Sequence, residues 1–429
     1  MSDPAPAPAP TPAAAPASAS ASAVLRPAWV QVDLAAIRAN AALLARLAAP
    51  AALCAVVKAD AYGHGAPRVA EAALEGGAQL LAVALVDEGL ALRRAGVRAP
   101  VLLLSEPTPD AMLEAVAHDL TPTIYRLEGV AAARRAAAVR TAAGPVPVEL
   151  KLDSGMHRVG ADPDAILDVA AAIDAAPELE LAGLWTHLAV ADEPADDFTA
   201  AQLRALERCR ADLAAKGIVA PVVHAANSAG AIAHRAARLD RVRCGIALYG
   251  HAPSPALDGW VERDPAAGGP LTPALSWKAE VHLVRRLAAG ERTSYGRTYG
   301  LEREGDVAVV PLGYHDGVPR RYATSGGEVL VRGRRRRIAG TVTMDQIIVD
   351  LGDGDGDGDG DGGEGGGSGV RPGDEVVLIG RQGGEEITVE EWAARLGTVS
   401  YEVLCGIGPR VPRRYVDGSR PEGSGAPGR

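Results

Sequence analysis

Lysine is nearly absent. Of the 44 lysines and arginines in this 429-residue chain only four are lysine, Lys58, Lys151, Lys216 and Lys278, so chemistry that needs a primary amine has few places to reside. Cysteine is as sparse. Cys54, Cys209, Cys244 and Cys405 are scattered without a CxxC pair or metal-ligand spacing, which argues against a disulfide framework, predicts no metal site and fits a reducing compartment. The net charge of −10 comes with no long basic face, which speaks against nucleic acid, whose phosphates require clustered Lys and Arg. A small-molecule partner is expected instead. No apolar run approaches the roughly 18 to 20 residues of a membrane span. The N-terminal "MSDPAPAPAPTPAAAPASASASAV" has neither the positive start nor the continuous apolar stretch of an export signal. A soluble, cytoplasmic protein with no membrane partner is expected.

What the chain has in quantity is alternation. Its length allows about two domains, preceded by a Pro/Ala-rich tail, residues 1–27, expected to be disordered. Over residues 28–268, eight apolar runs, "LCAVVKA", "LLAVALV", "VLLLSE", "LTPTIY", "VPVELKLD", "LAGLWTHL", "VVHAANS" and "VRCGIALYG", alternate with stretches of helical period. Near-continuous apolar strands belong to parallel sheets covered on both faces, and eight of them predict an α/β fold, a (β/α)8 TIM-like barrel. The open, doubly wound alternative would show GxGxxG after its first strand, and "KADAYGHG" is not that. Residues 269–418 lose the helical rhythm: short alternating strands with Gly turns and one clear helix, "TVEEWAARLG", predict a mostly β second domain. Its "GDGDGDGDGDGGEGGGSG", residues 352–369, reads as a flexible loop; it offers aspartates to calcium but lacks the apolar position of the nonapeptide calcium repeats. The run "RGRRRR" from Arg332 is expected to cap a solvated hairpin, and residues 419–429 to form a disordered tail.

Lys58 ends the first of the eight runs. Lysine is rarely buried without a partner, and the C-terminal ends of barrel strands are where active sites are built. An amine there can form a Schiff base with an aldehyde, or it can simply snorkel from a strand end. Lys216, at a polar helix end, and Lys278, alternating with apolar residues in a strand, read as structural.

The segment "AVVKADAYGHG" resembles the pyridoxal-phosphate attachment segment of the alanine racemases. The resemblance continues in order through "KLDSGMHRVG", "GLWTHLAVAD", "HAANSAG", "RCGIALYG", "SYGRTY", "PLGYHDG", "GTVTMDQ" and "VPRRY", along almost all of residues 28–415. It implies pyridoxal 5′-phosphate as cofactor, a barrel with a C-terminal β domain, a head-to-tail homodimer with shared active sites, and racemisation of alanine to supply D-alanine for peptidoglycan.

Residue by residue, the resemblance implies that Lys58 carries the cofactor and is one of two bases, with Tyr295 from the neighbouring subunit as the other. Tyr62, Asn227, Ser228 and the backbone amides of Gly245 and Ile246 would hold the cofactor's phosphate end, as barrels often do with their last loops. Arg243 would meet the pyridine nitrogen; a guanidinium has no acceptor for a ring proton, which makes a shallower electron sink suited to quick reprotonation. His187 would join Arg243 to Tyr295, since a phenol titrates near ~10 and needs cationic neighbours to act as a base. Arg158 and the Met344 N–H would bind the substrate carboxylate, supported by Asp345 and by Lys151, a lysine that is carbamylated in several family members. Asp192, Tyr314 and Arg320 would line the access corridor.

Two positions depart from the family pattern. Where several members read Ile-Ser-Tyr-Arg this chain reads "IGPR", with Gly408 and Pro409, and a corridor arginine is replaced by Thr341. Both changes remove bulk or polarity from the gate. A broader racemase for serine, lysine or arginine therefore stands as an alternative; an amino-acid decarboxylase on the same fold, which loss of the Arg158 and Met344 contacts would favour, and a non-catalytic cofactor-binding protein, against which the β domain and Tyr295 argue, are the other classes.

Overall fold

The computed structural model describes residues 26–265, 267–353 and 367–418. Both expected tails, apart from residues 26 and 27, and most of the 352–369 loop lie outside the described residues.

Strand β1 (Ala28–Asp33) leads into the helix Leu34–Ala48, whose first turn is capped by Asp33, the side chain accepting from the N–H groups of Ala35 and Ala36. Such a cap contributes about 1 kcal/mol. The helix turns Ile37, Leu44 and Leu47 into the core, and each side chain so buried contributes roughly 1.5–3 kcal/mol.

Next come β2 (Ala52–Val56), β3 (Leu80–Val83), β4 (Val101–Leu103), β5 (Leu120–Thr121), β6 (Thr123–Ile124), β7 (Val146–Lys151), β8 (Leu179–Trp185), β9 (Val223–His224) and β10 (Arg241–Cys244). They form one parallel sheet in the order β5-β4-β3-β2-β10-β9-β8-β7-β6. β5 and β6 are two halves of one strand split at Pro122, which has no N–H to donate. The first half pairs with β4 and the second with β7, so the sheet closes on itself as the eight-stranded barrel its apolar runs predict. Two of those runs stop short as strands: "SAG" turns into the helix Ser228–Ala233 and "IALY" into a 3-10 turn, Ile246–Tyr249.

One expectation is corrected by β1. Sequence begins the barrel at residue 28, but β1 lies in the sheet of the C-terminal half, antiparallel to β11 (Leu275–Glu280) and parallel to Arg413–Val416. The start and end of the described chain are thereby stitched into one sheet, and the barrel's first helix hangs from it. The arginine run is also corrected. Arg334–Arg337 is itself a strand paired with Glu328–Val331, and the turn sits at Arg332 and Gly333. Arg335 is held there by Glu328, Glu385 and Glu391 at 3.2, 3.0 and 2.8 Å. Besides the expected helix, Val389–Leu396, the second domain contains Arg320–Thr324 and Ser400–Cys405. Among the described residues no helix is long and apolar enough to cross a membrane, and no group of three or more His, Cys, Asp or Glu is placed to hold a metal.

Candidate active site

Past the end of β2 the backbone changes hand. Ala59, Asp60, Ala61 and Tyr62 all have φ between 50° and 55°, a left-handed turn that costs L-residues roughly 1–2 kcal/mol each. Such strain persists only where the surroundings over-determine it. The Asp60 carboxylate accepts from the Ala66 N–H at 2.8 Å, and Arg413 donates to the Gly63 carbonyl at 2.9 Å. Gly63 ends the turn at φ 79°, where a Cβ would stand 2.7 Å from the Leu404 carbonyl oxygen. The turn brings Lys58 and Tyr62 to face one cavity of about 500 Å³ at the C-terminal mouth of the barrel.

That cavity also gathers Lys151, Arg158, His187, Asn227, Ser228, Arg243, Gly245 and Ile246. At one end the Ser228 hydroxyl accepts from the N–H groups of Gly245 at 3.0 Å and Ala247 at 3.4 Å. A Cβ at Gly245 would come within 2.4 Å of the Tyr62 hydroxyl, so the cradle has room for an anion only because this residue has no side chain. Burial, and then Tyr401, push the Tyr62 phenol above its ordinary range, which keeps it an O–H donor. Asn227 faces the same end, but its carboxamide oxygen caps the helix Ser228–Ala233 through the Gly230 N–H at 2.9 Å.

Cations dominate the lining: Lys58, Lys151, Arg158 and Arg243, with no carboxylate among the described lining residues. Burial and the neighbouring Arg158 hold the Lys58 amine below its ordinary value. Lys151 is lowered to about 7 by burial, then by Arg243 and Arg158. A primary amine lowered by burial beside an anion cradle suits a phosphorylated aldehyde, and pyridoxal 5′-phosphate fits this donor set.

Arg243 is buried and bonded through both terminal nitrogens. Nη2 donates to the carbonyls of Thr186 at 2.8 Å and Ala225 at 2.9 Å and meets His187 Nδ1 at 3.3 Å, while Nη1 meets His224 Nδ1 at 2.6 Å. A guanidinium only donates, so both Nδ1 atoms act as acceptors, and each ring carries its proton on Nε2. Burial and Arg243 hold His187 neutral, well below its ordinary value. The His224 Nε2–H points to Glu149 at 2.8 Å, whose other oxygen takes Arg241 at 2.6 Å. Lys151 and Arg243 both stand over the Trp185 ring, 4.0 and 4.5 Å from its centroid. Sequence reasoning missed Glu149, His224 and Trp185. Glu149 did carry a signal, since it shares the inward face of β7 with Lys151, two residues on.

The second half of the predicted site is elsewhere in the chain. Tyr295, 74% exposed, lines a separate cavity of about 630 Å³ with Tyr314, Arg320, Met344 and Asp345. Thr341 donates to the Tyr295 carbonyl at 3.0 Å and accepts from Ser294 at 2.6 Å through its own carbonyl, pinning this turn. Asp345 takes Arg410 at 2.8 Å. Asp192 is in neither lining; its carbonyl accepts from Ser254 at 2.9 Å, and burial, then the Asp192 charge, raise Tyr401, which lines the Lys58 cavity beside Cys405.

Residues 32–253 match the family model for the alanine racemase N-terminal domain, and residues 274–415 that for the C-terminal domain. The chain belongs to the alanine racemase family. It is 44% identical over 391 residues to the alanine racemase of Symbiobacterium thermophilum, covering 91% of this chain and 97% of that one. Among solved structures, alanine racemase from Streptomyces coelicolor A3(2) superposes with a TM-score of 0.80 at 40% identity, covering 92% of this chain and 99% of the other. Alanine racemase from Bacillus anthracis with bound L-Ala-P gives 0.81 at 35% identity, over 93% and 97%.

Proposed function

We propose that this alanine racemase family member interconverts L- and D-alanine, supplying D-alanine for peptidoglycan, with pyridoxal 5′-phosphate held in the barrel cavity and Lys58 and Tyr295 as its two bases. The observation that carries the reading is the Lys58 amine, lowered by burial, on a left-handed turn opposite the Ser228–Gly245 cradle. When bound, the cofactor supplies an electron sink that acidifies the substrate Cα–H.

The residues divide the remaining work. Lys58 carries the cofactor and exchanges a proton on one face of Cα. Tyr62, Ser228 and the amides of Gly245 and Ile246 would hold the phosphate, while Arg243, a donor without a spare lone pair, would meet the ring nitrogen and leave it unprotonated. Arg158 binds the substrate carboxylate with the Met344 N–H, and Lys151 and Asp345 support them. Tyr295 serves the opposite face of Cα. Because Tyr295 and Lys58 line separate cavities of one chain, the two bases meet in a head-to-tail homodimer, each site completed by its partner. There the neutral His187 offers its Nε2–H to the phenol oxygen and stabilises the phenolate. Asp192, Tyr314 and Arg320 form the corridor. Thr341 and Pro409, smaller and less polar than the groups they replace, favour a second reading in which longer amino acids also pass.

Borohydride reduction of the yellow holoenzyme followed by peptide mapping tests the cofactor assignment, and chiral analysis of product from D-alanine tests the reaction. A pyridoxyl label on Lys58 and formation of L-alanine are expected. A colourless protein, or a label elsewhere, overturns the reading.

A further inference from the structure

Resting on the reading of Lys58 as the cofactor-bearing amine, we infer that Glu88 is a positioning residue whose carboxylate fixes Lys58 by clamping the left-handed turn that follows it. Glu88 stands in the first turn of the helix Val86–Arg94, just beyond β3. A carboxylate there ordinarily serves its own helix, and Oε2 does so, accepting from the N–H groups of Ala84 at 2.8 Å and Leu85 at 3.0 Å. Oε1 is turned to the neighbouring loop and accepts from the Ala59 N–H at 2.6 Å. That amide is the one bonded directly to the Lys58 carbonyl carbon.

The placement matters because the turn is strained along its length, from Ala59 to Tyr62. Its far end is tied by Asp60 to Ala66 and by Arg413 to Gly63. Across Lys58–Ala61, among the described residues, Glu88 is the one side chain bonded to the turn's backbone N–H groups. A hydrogen bond to a carboxylate is stronger than one to a neutral acceptor, so this contact sets where the turn begins and hence where the lysine points. Three N–H donors converge on the two oxygens. Glutamine has one acceptor oxygen and must turn an NH2 group toward one set of donors, so it cannot reproduce the clamp.

The competing description is that Glu88 merely caps its helix. The full chain is compared as wild type, Glu88→Gln, Glu88→Ala and, as control, Asp87→Asn at an exposed position of the same helix turn. Affinity for pyridoxal 5′-phosphate is read by absorbance titration, amide exchange over residues 57–64 and 84–90, and kcat and KM for alanine. Both Glu88 variants are expected to bind the cofactor at least about tenfold more weakly and to exchange faster over residues 57–64. Their kcat should fall while KM for alanine stays within about twofold, because Arg158 and Met344 are untouched. Asp87→Asn should match wild type. Faster exchange confined to residues 84–90 with unchanged cofactor affinity overturns the clamp, as does no change in either variant. A wild-type pyridoxyl label away from Lys58 overturns instead the reading on which it rests, and exchange over residues 57–64 still judges the clamp by itself.

Discussion

Arg243 donates from Nη1 to the Nδ1 of His224 at 2.6 Å in the closed interior of the barrel, and the same imidazole turns its other nitrogen to Glu149 at 2.8 Å. Burial alone would raise the Glu149 carboxyl, but His224 and Arg241 outweigh it and hold it below its ordinary range. The carboxylate is thus the counter-charge for the buried Arg243 and the half-buried Arg241. Removing one partner of such a pair strands the others and costs about 3–5 kcal/mol. Glu149→Leu should therefore lower the urea midpoint strongly, and cofactor affinity with it, because Arg243 loses its fixed acceptor. A variant as stable as wild type would show that the ladder is incidental.

Two histidines, His64 and His224, are completely buried. Burial lowers His64 to about 3, and burial also holds His224 below its ordinary value despite the opposing pull of Glu149. A base whose folded value is depressed takes up its proton more readily unfolded. Its stabilising effect is complete above the unfolded value near ~6.5 and is lost as pH falls below it. Urea unfolding at fixed protein concentration should show stability declining from pH 6.5 toward 4, at up to about 2.7 kcal/mol per pH unit for two protons. A flat profile from pH 7 to 5 contradicts this.

Separate cavities for Lys58 and Tyr295 predict complementation. Lys58→Ala should lose both colour and turnover, whereas Tyr295→Phe should stay yellow and lose racemisation more severely from one enantiomer, as read by solvent deuterium exchange at Cα. When the two variants are unfolded together and refolded as a mixture, half the dimers are hybrids, and each hybrid contains one site with both bases intact. About a quarter of wild-type activity should return. If both bases came from one chain, none would.

How much of this was legible depends on the range of the forces involved. The eight barrel strands announce themselves because strands covered on both faces are apolar throughout, and Lys58 stands out as a charge at the end of one. The left-handed turn after it has little local signal: Ala, Ala and Tyr disfavour that conformation, and the contacts that hold it come from Glu88 and from Arg413, outside the segment. β1 was misplaced for a similar reason, since its alternating "AWVQVD" fits either domain and only pairing with β11 and Arg413–Val416 decides. Glu149 and His224 were passed over because each alone is an unremarked polar residue in a short strand; across the barrel they make a pair.

Gly245 gives the sharpest test of the cradle. Its φ of −104° lies outside the left-handed region that favours glycine, and the effect expected of Gly245→Ala comes from space. The new methyl would stand 2.4 Å from the Tyr62 hydroxyl. Tyr62 has little room to yield, because its ring packs against Tyr249 at 4.8 Å and Tyr401 at 6.1 Å between centroids. Either the phenol or the Gly245 backbone must shift, and both belong to the proposed phosphate site. The variant should keep its fold, as read by circular dichroism, and bind pyridoxal 5′-phosphate about 10- to 100-fold more weakly, the scale of one or two lost charge-assisted hydrogen bonds. Pyridoxal without its phosphate should bind wild type and variant alike. An equal loss of affinity for both aldehydes would place the damage at Lys58 rather than at the cradle.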